Sequence, residues 1–211
     1  MERVIKTVLR AILRPDKNGE LLERQLSSGL WTRTCSGLIL FGLMFSLTSI
    51  IQAFSGNVPA VPLILPLGLE NYFVWQAVLF IPWLMVSWLL VSWLARMNFK
   101  IAGAKKLSWR QLSAGLALSF YPFLFWLWLP HFFTSVLYLL GMSQKEWVDL
   151  LSNPGWFQSV YISLIVIALL SGWLASCLTV TARRWTKRGY SLITGSLSYL
   201  AWVLIIFILL R

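Results

Sequence analysis

One histidine and two cysteines are all that the chain offers in imidazole and thiol groups. No Asp, Glu, Lys or Arg falls in the middle of any of its long apolar runs. The missing charges are the more informative absence. An ionisable group at membrane depth is expensive and marks an ion, proton or catalytic pathway. Its absence weighs against a proton-coupled transporter, which needs a carboxylate relay, and against a metal-dependent membrane hydrolase. Cys35 and Cys177 are both expected near a reducing compartment, as small buried side chains and not as a disulfide. Two cysteines and one distant histidine cannot make a structural zinc site, so neither metal nor cofactor is expected. No Asn lies in an N-x-Ser/Thr acceptor. No cleavable leader is expected either, because the first apolar run starts only near residue 35, behind a long charged segment.

Apolar residues dominate what remains. Of 211 residues, 58% are hydrophobic and 12% charged, against roughly 25% charged in a soluble domain. The apolar runs reach the roughly 20 residues that cross a bilayer as a helix. In lipid every backbone polar group must be bonded within its own segment, which these uniformly apolar runs achieve as helices. The expected fold is an all-α five-transmembrane-helix bundle, with spans at about 36–54, 72–95, 112–138, 157–182 and 190–210. Residues 1–34 form a separate basic, amphipathic cytoplasmic segment.

The net charge of +11 is distributed by topology. Lys and Arg number seven in residues 1–35, none in 55–71, five in 96–111, one in 139–156 and four in 183–189. By the positive-inside rule, this alternation places the N-terminus in the cytoplasm and the C-terminus outside. The excess of positive charge is thus a membrane signal, and no nucleic-acid partner is expected. A bacterial inner membrane is the expected location.

Two basic segments are the candidate contact sites. At 100° per residue, Val4, Ile5, Val8, Leu9, Ile12 and Leu13 share one helical face, while Arg3, Lys6, Arg10 and Arg14 share the other. Such a helix is expected to lie on the cytoplasmic surface of the membrane, held by anionic headgroups. The competing expectation is docking against the protein's own loops or a partner. Arg14-Pro15 ends the helix, and Asp16 to Gly19 reads as a turn. The second segment is the loop from Arg96 to Gln111. Its Lys105, Lys106 and Arg110 are candidates for lipid or partner contact, although a loop that merely sets topology explains them as well. It has no phosphate-cradling glycine motif.

The stretch Phe120 to Phe133, FYPFLFWLWLPHFF, holds His131 and the helix-interrupting Pro122 and Pro130. Both prolines are candidate kink positions. His131 lies roughly 28 Å along the third span, at the depth of an interfacial aromatic belt. That makes it an anchor residue, with no catalytic residue expected. An activity based on it would require a carboxylate or serine beside the ring. Pro122, deeper in the helix, is the more promising place for a gap, a hinge or a bound lipid. Small residues recur four apart, at Gly115/Ser119, Ser171/Ala175, Gly172/Ser176, Ser191/Gly195 and Thr194/Ser198. Close packing of spans three to five explains them, and contact with another subunit or a homo-oligomer is the alternative.

Gly103-Ala104-Lys105-Lys106-Leu107-Ser108-Trp109-Arg110-Gln111-Leu112, followed by Ser119-Phe120-Tyr121-Pro122, resembles a stretch of bacterial members of the Yip (Ypt-interacting protein) domain family. The amphipathic opening from Val4 to Pro15 is also similar. The resemblance implies five spans, a cytoplasmic N-terminus and a non-enzymatic role through membrane partners. Eukaryotic relatives associate with small Rab-type GTPases and with each other. Their long N-terminal region and its motif have no counterpart here, which puts GTPase binding in doubt. The expected function is that of a membrane-organising or accessory subunit; the alternative is a component that transports lipid or another hydrophobic substrate.

Overall fold

The computed structural model describes residues 1–25, 29–56, 71–104, 107–182 and 185–210. Among them there are helices and turns and no strand. Helix α1 spans Glu2–Leu13, a 3-10 turn spans Pro15–Lys17, and α2 spans Asn18–Gln25. The long helices are α3 (Leu30–Phe54), α4 (Tyr72–Ile101) and α5 (Trp109–Leu139). A short α6 (Gln144–Ser152) precedes α7 (Trp156–Ala182) and α8 (Arg188–Leu210). Five of these helices, α3, α4, α5, α7 and α8, are long and apolar enough to cross a membrane. The protein is a polytopic integral membrane protein.

The central element is α5, which runs unbroken through Pro122 and Pro130. Each proline removes one backbone donor, so the carbonyls of Leu118 and Trp126 lose their helical partner. The third span is therefore one continuous helix, with no break at either proline. Every residue from Leu112 to Leu124 is buried, because α5 is packed against α3, α4 and α7. Phe120 also stacks on Trp202 of α8, with ring centroids 3.9 Å apart.

Hydrocarbon surrounds a membrane bundle, so burial of apolar surface does not drive its helices together. Close packing and interhelical hydrogen bonds do. The small residues fill that role within the chain. A Cβ on Gly172 would lie 2.6 Å from the Tyr199 ring and 2.7 Å from Phe123. One on Gly195 would lie 3.2 Å from the Ser176 carbonyl. Ser176 donates to Ser119 at 3.1 Å, joining α7 to α5. Long polar side chains bond backbone carbonyls of neighbouring helices: Tyr121 to Thr34 (2.6 Å), Trp88 to Ser113 (2.9 Å), Trp83 to Ile205 and Tyr72 to Leu209 (both 2.8 Å).

Successive spans alternate in direction. The starts of α3, α5 and α8 and the ends of α4 and α7 therefore share one end, together with α1 and α2. We call it the basic end. The other holds α6. Glycines with φ of 81° and 93° turn the chain after α4 and α5. At each, Gly103 and Gly141, the glycine's own amide and the next one close back on the last helical turn, a left-handed cap that glycine adopts without steric cost.

Candidate functional site

The N-terminal segment splits its helix surface three ways. Thr7, Val8 and Ala11 are buried, flanked by half-buried Val4 and Ile12, where α1 packs on α3 and α5. Ile5, Leu9 and Leu13 follow each other one turn apart and are 42%, 49% and 74% exposed. Arg3, Lys6, Arg10 and Arg14 are exposed on the remaining side. The apolar face, expected to lie on lipid or to dock on the protein's own loops or a partner, is thus two surfaces. Val4, Val8 and Ile12 dock on the bundle, because Gly37 leaves room for the Val8 side chain. Of that face, only Ile5, Leu9 and Leu13 remain exposed.

The expected turn at Asp16 to Gly19 is displaced. The turn is Pro15–Lys17, and Asn18 already opens α2. That helix inserts between α5 and α7. Leu21 and Leu22 are buried, with Leu22 against Gly115, and Gly19 abuts Ala182. Asn18 is fully buried and donates to the Thr179 hydroxyl at 3.2 Å. Among the described residues its Oδ1 has no partner, nor does the buried Nε of Arg96.

The basic residues differ in how bare they are. Lys6 pairs with Glu2, and Arg10 lies 3.8 Å from Glu20, which also holds Lys17 at 2.8 Å. Arg110 is exposed in the first turn of α5, at the same end as α1 and α2. Lys105 and Lys106 lie outside the described residues, so the loop cluster is represented by Arg110 alone.

His131 is half-buried, its ring edge-on to Phe45 at 5.4 Å. Around it runs a polar network invisible to a search for charge. Gln52 donates to Ser135 at 3.2 Å and lies 3.5 Å from the His131 carbonyl. Ser135 bonds the carbonyls of Thr48 (3.1 Å) and His131 (2.9 Å). Ser49 donates to Gln76 at 2.8 Å. These residues join α3, α4 and α5.

Pro122 is buried in the packed centre, and the gap lies at Pro130. There α5 and α7 enclose an apolar groove of about 300 Å³. Pro130, Phe133 and Leu137 form one wall; Val160, Tyr161 and Leu164 form the other. Trp147 of α6 closes it from above, ring-packed on Tyr138, Phe157 and Tyr161. Trp156 and Phe157 also line a second, more open cavity of about 510 Å³, rimmed by Glu146, Asp149 and Asn153. Helix α6 is fixed by a reciprocal cap between Ser143 and Glu146, and Gln158 of α7 donates to the Leu151 carbonyl at 2.8 Å.

Helix α6 had a legible signal, since Ser143-Gln-Lys-Glu146 has capping-box spacing. The groove had none. Its walls follow helical spacing, but α5 and α7 are apolar on every face, so no stripe stands out.

No family model, curated protein or solved structure matches the chain.

Proposed function

We propose that this protein is a non-enzymatic membrane-organising or accessory subunit. It sits in a bacterial inner membrane with the basic end in the cytoplasm and acts through lipids and protein partners. The resemblance to bacterial Yip domain proteins points the same way. The supporting observation is the three-way division of α1: one face on the bundle, one exposed apolar row, one basic row. A helix so built seats its apolar row at the acyl boundary and its cations among headgroups. Each cation near an anionic surface contributes about 1 kcal/mol. Lys6 and Arg10 already have acidic partners, so Arg3 and Arg14 carry most of the attraction. Spin labels at Leu9 and Lys6, in vesicles containing phosphatidylglycerol, test this. Leu9 should report acyl depth and Lys6 the headgroup layer. A water-exposed label at Leu9 overturns the reading.

The groove at Pro130 favours a second reading, a component that carries lipid or another hydrophobic substrate. Exchange of fluorescent lipid between the leaflets of reconstituted vesicles separates the two. An accessory subunit leaves that rate at the level of protein-free vesicles.

A further inference from the structure

We infer that the α5–α6–α7 groove is a binding site for one acyl chain of a zwitterionic, ammonium-bearing phospholipid from the leaflet on the α6 side. The inference rests on the membrane placement of α5 and α7 and does not depend on the role given to α1.

Depth comes first. From Trp156 to Leu164 the walls rise about 12 Å, against roughly 15 Å for one leaflet's half of the hydrocarbon core. Spread over that length, 300 Å³ leaves a bore of about 25 Å², one chain wide. The volume is about twice that of an apolar cavity that takes up benzene. The groove is also open to its surroundings: Phe133 is 52% and Val160 51% exposed. In a bilayer those side chains face acyl chains, so the chemistry that fills the groove is already present on its open side.

The mouth then selects the head. At the top of the groove, Trp156 and Phe157 are shared with the second cavity. The charged side chains that line that cavity, Glu146 and Asp149, are both negative. They repel an anionic headgroup and complement an ammonium. Glu146 turns one oxygen, Oε2, to Ser143, and among the described residues its other oxygen has no hydrogen-bond partner. The two cavities form one amphiphile site, with an apolar slot below and an anionic rim above.

Native mass spectrometry of the full chain, released from nanodiscs holding equal amounts of phosphatidylethanolamine and phosphatidylglycerol, tests the inference. The wild type should retain one phosphatidylethanolamine in about fivefold excess, the effect of an exposed charge contact. Leu164→Trp, which fills the slot, should abolish retention. E146Q/D149N should keep a lipid and lose the preference; Gln still serves the cap at position 146. Retention unchanged in Leu164→Trp, or an unchanged preference in E146Q/D149N, overturns the inference. A measurement on the unmodified protein covers the case of a misfolded variant. Phosphatidylethanolamine with a diazirine on its acyl chain should label peptides within 130–139 and 156–164. Labelling spread evenly over the exposed belt overturns the site.

Discussion

Asn18 hands its amide proton to the hydroxyl of Thr179 at 3.2 Å, across 161 positions of sequence. This bond fixes the N-terminal layer to α7 at a buried point where no water competes. Thr179→Val keeps the shape and removes the acceptor, leaving both polar atoms of the Asn18 amide unsatisfied. An orphaned buried group costs about 1–3 kcal/mol. Hydrogen exchange should therefore quicken for amides 2–25 and stay unchanged in α4 and α8. Equal change along the whole chain would show that the bond does not hold this layer in particular.

Two glycines separate close packing from mere helix composition. An alanine at 172 meets Tyr199 and Phe123 at distances no real Cβ accepts, so a ring or a backbone must shift. Overpacking of this kind costs about 1–3 kcal/mol. At Gly189 a Cβ meets nothing within 4 Å. Gly172→Ala should lower the unfolding temperature in detergent, and Gly189→Ala should leave it unchanged or raise it slightly. The reverse order would refute the packing at the α5–α7–α8 junction.

How much of this was legible depends on what kind of contrast each element offers. The five spans stand out because apolar and charged segments alternate, and each long helix overlaps its expected span. The buried row of α1 did not stand out from its exposed row. Val8 and Leu9 are equally apolar, and only the packing on Gly37 separates them. Gln52 and Gln76 went unread because they carry no charge, although both are buried among carbonyls and hydroxyls. The groove at Pro130 arises from the space between two all-apolar helices, which neither sequence encodes by itself.

Glu146 supplies a pH dependence. Hydrogen bonds from the Ser143 backbone amide and then from its hydroxyl hold the Glu146 carboxyl below its ordinary value of 4.5. The folded value is the lower of the two. The cap's contribution is thus complete above the ordinary range and is lost as pH falls through the depressed value. Exchange of the first α6 amides should stay slow down to the ordinary carboxyl range and quicken only below it. In Glu146→Ala it should be fast at every pH. Glu146→Gln, which still accepts both bonds, should remove the pH dependence and keep the protection. A pH profile that persists in Glu146→Gln would assign the titration to another group.

The Gln52–Ser135 pair makes a sharper test, because its two halves are unequal. Ser135 has other partners in the Thr48 and His131 carbonyls, so Gln52→Leu strands nothing and replaces an amide with a chain of similar size. Its cost should stay near 0.6 kcal/mol, the usual scale for a hydrogen bond between membrane helices. Ser135→Ala removes the better acceptor of a buried amide and leaves it only the long 3.5 Å contact to the His131 carbonyl. That penalty should reach about 1–3 kcal/mol. Reversible unfolding of both single variants and the double variant, measured in mixed micelles, gives the two costs and their coupling. Ser135→Ala should be the more damaging, and adding Gln52→Leu to it should recover stability. If the double variant is instead the sum of the singles, the two side chains are not coupled and the network around His131 is a set of independent contacts.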